Sequence, residues 1–578
     1  MADLTEDQVQ KHSTTGADPV TLGLAATALL CAFVILQAFL FHAGGVVDST
    51  RFDLTNYVSF FLLVAQDRSV ATAALGLCLV LIVGLRWLPL DGLRFPRLPV
   101  MATLLAAFAC LASLAVGHFA HHHFDLSLDE FSSGFQAQIF ARGQIMADLG
   151  PADAQLAPYM QPFLIYKDVE NGVWMSNYRP GYGALRGLFL ALGAEWLLNP
   201  LLAAVAVLAT MDVARRIWPE TPEAAIWAGL LLAATPQVIV TAGSGFSYTA
   251  YLALHMVWLS LFLRGTFAGH MAAACLGVFL IGLHQIHVHP LFAVPFCLAL
   301  LLGAFGPRWH ALPYIVLYLL ALPVVLLWVE IATWLHTGGT GIWPASFWEI
   351  RYLEDFFGYR EKTETSHIAN AREFTVTNLL RLCAWLSPAV LVLLFGTLKS
   401  VRRFGLVPLL CGAAVFISVA AHHVLMPNQM QSWGSRYYHP VLGCLVLFAV
   451  AGFVALSGAA RQRMRAGLGV LVVASVVVFL PWRGVQVEAK VGPRAEFQAW
   501  IETVEADYIL LNPVGFMLGG DPLRNPPFFE DGPRMLFAPP DQNYPIELSG
   551  EIVRIGEKEA QRFGVGVGTL LEPGVVED

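Results

Sequence analysis

The chain reads as an all-α polytopic membrane protein with a small α/β domain at its C-terminal end, and three observations predict it. Apolar residues make up 57% of the sequence and charged residues only 13%, against about 25% charged in a soluble domain. Apolar runs of roughly 17–23 residues recur, each long enough to cross a ~30 Å hydrocarbon layer as a helix that satisfies its own backbone. Past residue 482 the composition changes to short apolar stretches between Pro/Gly turns. The net charge of −8 gives no reason to expect a nucleic-acid partner.

From the N-terminus, residues 1–19 are polar and slightly acidic, and the apolar run after them continues for about twenty residues without a small-residue cleavage pattern. A cleavable signal is therefore not expected. About thirteen spans follow, at 20–41, 70–88, 100–119, 199–214, 223–241, 249–263, 271–283, 291–305, 311–332, 378–398, 404–425, 438–460 and 466–482. Residues 271–305 also allow a reading as one broken, re-entrant segment. With the N-terminus in the cytoplasm, every short inside loop is basic: Arg94 and Arg97; Arg215 and Arg216; Arg264; Arg308; Lys399, Arg402 and Arg403; Arg461, Arg463 and Arg465. The outside turns at 242–248 and 284–290 carry no Lys or Arg. This positive-inside pattern predicts a multi-pass protein of a bacterial inner (plasma) membrane. All eight cysteines (Cys31, Cys78, Cys110, Cys275, Cys297, Cys383, Cys411, Cys444) fall inside the apolar runs, so neither a disulfide framework nor a Cys-based metal site is expected.

The organisation follows. Residues 1–99 hold a cytoplasmic segment and two spans, 100–482 form a membrane core, and 483–578 form a small periplasmic α/β domain. In that domain Ala495–Ala506 reads as a helix, and Tyr508–Leu511 and Met535–Ala538 read as strands. Two long outward loops, 120–198 and 333–377, interrupt the core, and loops of such length in a compact protein are usually functional. Within the first, Leu185–Leu198 is apolar but broken by Arg186 and Glu195, which suggests a helix lying on the membrane surface.

Candidate chemistry concentrates on the outer face. Asp129 and Glu130 lie about ten residues beyond the third span, and an amphipathic run, Phe135–Phe140, follows them. Adjacent residues do not share a helical face, so one carboxylate suffices to meet a substrate. Partial burial at a membrane surface is expected to raise its basicity, which suits a general base; two solvated loop acids are the plainer alternative. The stretch Trp174–Tyr182 places Arg179 before a Pro-Gly turn, where a guanidinium fork suits a phosphate. An ordinary headgroup anchor with interfacial aromatics explains it equally.

The histidines His118, His121, His122 and His123, and then His284, His287 and His289, match no standard metal spacing. No metal or other cofactor is required, though neutral imidazoles are able to take a divalent ion. His287 and His289 are the better candidates to lie near a phosphate, because their turn opens outward. The loop 333–377 carries Trp343, Trp348, Glu349, Arg351, Tyr352, Glu354 and Asp355, a mixture that suits a sugar or acceptor surface and equally an amphipathic helix on the membrane.

Taken in order, these features resemble the GT-C membrane glycosyltransferases: the outward Asp-Glu loop, the Gln-Ala-x-Ile-Phe-Ala stretch from Gln136, and the Arg179-Pro180-Gly181 turn. An interfacial helix, Asn199-Pro200 and Ala214-Arg215-Arg216 then follow. The chain is similar in particular to the protein O-mannosyltransferase-like branch, which includes the lipid A aminoarabinose transferases. The resemblance spans roughly Leu128–Arg216, with weaker echoes at Ser244–Leu263, Trp433–Tyr437 and Gly532–Ala538. It implies a GT-C-like membrane fold and inverting transfer of a sugar from a polyprenyl-phosphate donor to an acceptor on the periplasmic face. It makes Asp129 the catalytic base candidate, with Glu130 as its motif neighbour. Arg179 would hold the donor phosphate, and Arg436 of the Gly-x-Arg-Tyr turn would reach the same pocket, with His287 and His289 near it. Tyr178, Tyr182, Trp348, Arg351 and Glu354 are the candidates for sugar or acceptor contacts. The acceptor is left as a glycan, a lipid or a protein, and membrane lipids are the other expected partners. Two features depart from the family: two extra spans precede the catalytic loop, and His289-Pro290 stands where relatives often have Arg-Pro.

Rival readings are a transporter or flippase, and a lipid-linked polysaccharide polymerase or ligase. A transporter usually places ionisable residues within its spans. Here the spans are nearly clean, and Asp212, Glu330 and Arg381, among the few exceptions, sit near predicted span ends.

Overall fold

The computed structural model describes residues 18–43, 62–87, 94–160, 164–339, 343–344, 346, 349–350, 371–512, 521–529, 532–539 and 542–565. Among the described residues, eight helices are long and apolar enough to cross a membrane: Pro19–Phe41, Leu63–Gly84, Leu98–Phe119, Glu195–Ile217, Arg308–Leu326, Leu406–Leu425, Arg436–Val454 and Gly458–Ile501. Two bent pairs raise the number to ten if each is one span: Pro222–Ala233 with Pro236–Ala242, bent by 59°, and Ala371–Trp385 with Pro388–Gly396, bent by 108°. In both, the second helix starts at a proline. Its ring fixes φ and biases the residue before it away from helix, so the apolar run continues while its direction changes.

Tyr248–Phe262, Phe267–Ile281 and Val288–Leu301 occupy three further predicted spans but are shorter, at 15, 15 and 14 residues. A break at 282–287 separates the last two.

The sequence expectation fails in two places. Gly458–Ile501 is one continuous run of helix, through a π-helical turn at Ser475–Phe479 and past Pro493. The boundary placed at residue 483 therefore falls inside a helix, and the helix expected at Ala495–Ala506 is its end. Polar residues had marked the break, but Arg483 is buried against other elements, so polarity there does not mean exposure. The segment Leu185–Leu198 likewise is not one surface helix. It divides between a helix Pro180–Ala191 and a 3-10 turn Glu195–Leu197, with Arg186 turned inward.

The loop after Leu98–Phe119 folds as helix Leu128–Ala141, strand β1 (Ala147–Asp148), helix Pro151–Met160, β2 (Ile165–Asp168), β3 (Val173–Ser176) and helix Pro180–Ala191. The strands pair antiparallel in the order β1-β3-β2. The C-terminal part holds β4 (Tyr508–Leu511) between β5 (Arg534–Phe537) and β6 (Ile552–Ile555), both parallel to it.

Loop and tail share one core. Phe135, Ile139 and Trp174 pack with Leu510 and Leu536, the Trp174 indole donates to the Pro527 carbonyl at 2.9 Å, and Asn525 donates to the Met160 carbonyl at 2.6 Å. Both therefore lie on the same side of the molecule.

Candidate functional site

The helix Leu128–Ala141 fixes the two carboxylates. Ser127 caps it: its hydroxyl accepts from the Glu130 N–H, and the Glu130 carboxylate accepts from the Ser127 N–H at 2.9 Å and the Ser127 hydroxyl at 2.8 Å. Such a reciprocal capping box satisfies two donors that a helix start leaves open. The other Glu130 oxygen accepts from the Gly245 N–H at 3.0 Å, so Glu130 ties the helix to the loop before Tyr248. Glu130 is 1% exposed. Burial, with the nearby Asp125 carboxylate, pushes it up to about 7.

Asp129, one residue earlier, points elsewhere. One of its oxygens accepts from the Tyr178 hydroxyl in a short hydrogen bond, and the other pairs with Arg436 at 2.9 Å. Its side chain keeps 19% of its surface exposed, so it is reachable. Burial pushes its acidity down, as expected, but the Arg436 charge and the Tyr178 and Arg436 hydrogen bonds outweigh that. Together they hold the carboxyl below its ordinary range. The expected rise in basicity is thus reversed by the partners that burial brought with it. Burial and the Asp129 charge push the Tyr178 phenol well above its ordinary value, so it stays protonated and donating.

Two segments deliver these partners. Tyr178 follows β3 and precedes helix Pro180–Ala191, whose first N–H groups donate into the break at 282–287: Gly181 to the Gly282 carbonyl at 2.9 Å, and Tyr182 to Leu283 at 2.7 Å. The Tyr178 ring stacks on His284 with centroids 3.8 Å apart. Burial, chiefly, pushes His284 down to about 4, so it is neutral. Arg436 opens a 3-10 turn after Gly434, whose φ of +74° lies in the left-handed region. That turn is held by Gln237, which donates to the Ser435 carbonyl at 2.8 Å, and by the Ser435 hydroxyl on Asn378. Arg436 also donates to the Tyr437 hydroxyl at 3.2 Å.

The remaining candidates sit in varied places. Arg179 donates to the carbonyls of Val325 at 2.7 Å and Asn177 at 3.0 Å, joining the loop to the end of Leu312–Leu326. Tyr182 is buried, its hydroxyl donating to the Gly245 carbonyl at 2.9 Å and accepting from Asn199 at 2.9 Å. His287 lies 5.3 Å from His422, which stacks on Tyr437 at 4.9 Å. His289 bonds Tyr318 at 2.8 Å amid His255, Trp258 and Phe292, apart from the Asp129 pair. Trp348, Arg351 and Glu354 lie outside the described residues. Among the described residues, no group of three or more His, Cys, Asp or Glu side chains is arranged to hold a metal ion.

Sequence reasoning missed Tyr248 and His422, which frame the Arg436–Tyr437 pair. It also missed the network in which Arg186 pairs with Asp125 at 2.9 Å and Glu195 at 2.6 Å. A lone Arg in an apolar segment with a Glu nine residues on was the available signal.

No family model matches the chain, and no curated protein matches it. Solved structures do. The crystal structure of ArnT from Cupriavidus metallidurans bound to undecaprenyl phosphate matches with a TM-score of 0.50 and 14% identity, over 73% of this chain and 84% of that one. The crystal structure of the same protein in the apo state matches over the same shares, with a TM-score of 0.47 and 15% identity. At such identity the likeness is one of fold. The chain has the fold of ArnT, a GT-C lipid A aminoarabinose transferase, which is the branch its ordered motifs resemble.

Proposed function

We propose that this protein is a membrane glycosyltransferase that moves a sugar from a polyprenyl-phosphate donor to an acceptor on the periplasmic face, with inversion. The observation that carries the reading is the contact of Asp129 with Arg436 and Tyr178, on the side of the molecule where loop and tail meet. An inverting transfer needs a base for the acceptor hydroxyl and a cation for the departing phosphate. Here the two stand side by side, on an ArnT-like fold.

In the reaction, the acceptor oxygen attacks the anomeric carbon, its proton passes to Asp129, and the C–O bond to phosphate breaks with its electron pair going to the polyprenyl phosphate. Phosphate leaves without protonation, so the acid of a glycoside hydrolase pair is unnecessary. Arg436 stabilises the growing charge. Arg179, bonded to carbonyls, positions the Tyr178 turn and contributes its field to the phosphate. Undecaprenyl phosphate, bound by ArnT in its crystal structure, is the model for the lipid carrier. The full reading includes thirteen spans, with the three shorter apolar helices completing the set, the N-terminus in the cytoplasm and the C-terminal domain in the periplasm.

The test is transfer from a polyprenyl-phosphate sugar donor by purified protein. Asp129→Asn is expected to lower kcat by at least about 10³-fold, in the range of lost acid–base catalysis, with the protein still folded and inserted. Equal transfer by the two proteins removes Asp129 as the base. Flux of substrate across sealed proteoliposomes without a new glycosidic bond supports a transporter instead.

A further inference from the structure

We propose that Arg436 is handed from Asp129 to the donor phosphate when the donor binds, so that the carboxylate is released to act as a base only with the donor seated. This rests on the reading of the site given above and adds its regulation.

Three features of the donor-free site point to the exchange. Asp129 is doubly engaged, one oxygen by Tyr178 and the other by the Arg436 guanidinium at 2.9 Å. A carboxylate held that way lies below its ordinary range and is a poor proton acceptor. Arg436 in turn is incompletely satisfied: its Nε is buried without a hydrogen-bond partner, and so is the Tyr248 hydroxyl beside it. The Tyr248 ring lies 5.9 Å from Tyr437, the other acceptor of Arg436. Buried polar groups are rarely left unpaired, and an unpaired guanidinium N–H with an unpaired phenol near its Tyr437 partner suits an anion that arrives later. Thirdly, Arg436 is the first residue of a short 3-10 turn that follows a left-handed glycine. A change of side-chain rotamer at this first residue of Arg436–Val454 moves the guanidinium while the helix stays in place.

The direction of the exchange follows from charge. The guanidinium fork matches phosphate oxygens as well as a carboxylate, and phosphate gains negative charge as its bond to the sugar breaks. The pull on Arg436 is therefore strongest in the transition state, which is where stabilisation accelerates the reaction. Asp129, relieved of its cation while the proton is in flight, becomes a better base at the same moment. With no donor present the pair stays closed.

The experiment measures binding of undecaprenyl phosphate to the full-length protein in detergent. Wild type must break the Asp129–Arg436 pair to bind, whereas Asp129→Asn need not. The asparagine variant is therefore expected to bind about tenfold more tightly, although it is inactive. Arg436→Gln is expected to bind more weakly, and the double variant to show no gain from the asparagine. If Arg436→Gln weakens binding but Asp129→Asn binds no better than wild type, the exchange is overturned while the phosphate assignment stands. If Arg436→Gln binds as wild type does, both fall. Should the asparagine variant not fold, an experimental structure of the wild type with undecaprenyl phosphate decides. The exchange requires Arg436 on a phosphate oxygen and off Asp129; the guanidinium still on the carboxylate overturns it.

Discussion

Asp129 and Glu130 are neighbours in sequence with opposite electrostatic fates, and the cause is what each one touches. Asp129 meets a guanidinium and a phenol and is held down; Glu130 is buried near Asp125 and is pushed up to about 7. The second shift makes a prediction about stability. A carboxyl whose folded pKa is raised above the unfolded value of 4.5 binds its proton more tightly in the folded state. Its contribution is fully present below that unfolded value and is lost as pH rises through about 7. The melting temperature of wild type should therefore fall between pH 5 and 9, by an amount equivalent to about 1–3 kcal/mol. Glu130→Gln should flatten that fall. It should also lose part of the capping box, because an amide has one acceptor oxygen for the three hydrogen bonds that the carboxylate takes from Ser127 and Gly245. At pH 5, where Glu130 is itself protonated, the two proteins should lie within about 1 kcal/mol of each other. Parallel pH profiles for both proteins would reject the raised pKa. At this scale the sequence was legible in residue identity but not in partner: the Asp-Glu pair was visible, whereas Arg436 stands 307 positions away.

At the scale of elements, the turn Trp433–Tyr437 has more influence on the site than its length suggests. Gly434 has a φ of +74°, and a Cβ there would stand 2.4 Å from the Gln237 Oε1. The same Gln237 amide donates to the Ser435 carbonyl, so an added methyl pushes on the bond that fixes the residue before Arg436. Gly434→Ala should cost about 1–3 kcal/mol in backbone strain and raise the donor KM about tenfold, the effect of misplacing a phosphate ligand. Gly405→Ala is the control: its Cβ meets nothing within 4 Å. If the two variants share one KM, the turn does not position Arg436. Elements also show where sequence reading succeeds. Long apolar runs located the candidate membrane-crossing helices, because burial in lipid acts on whole segments. β4 has the predicted bounds, Tyr508–Leu511, and was marked by flanking turns. The bends at Pro236 and Pro388 and the continuity of Gly458–Ile501 were not legible. Their outcome depends on neighbouring helices that accept a polar or kinked segment, and hydropathy does not record neighbours.

Across the whole molecule, the second span is joined to the candidate site by a buried ionic cluster that spacing did not reveal. Asp67, in the first turns of Leu63–Gly84, pairs with Arg381 at 3.0 Å and Arg483 at 2.9 Å, and accepts from the Trp385 indole at 2.7 Å; all three charged side chains are fully buried. Arg483 also lies 4.0 Å from the centre of the Trp385 ring. Arg381 continues the connection, donating to the Ser432 carbonyl at 3.0 Å, and the Ser432 hydroxyl donates to the Gly434 carbonyl at 2.8 Å. A path of hydrogen bonds thus leads from the second span to the turn that presents Arg436. Asp67→Ala leaves two buried guanidinium groups without their counter-ion and should cost about 3–5 kcal/mol, read as a large drop in melting temperature. Such clusters are often replaceable by apolar side chains with little loss of stability, which separates a stabilising role from a positioning one. Asp67→Ala combined with Arg381→Met and Arg483→Met should recover most of the melting temperature. It should leave the donor KM raised, because the Ser432 carbonyl has lost the group that held it. A triple variant that regains both stability and wild-type KM would mean that the second span only fastens the bundle. Stability restored with the KM still high would show that it helps to hold the phosphate cation where the reaction needs it.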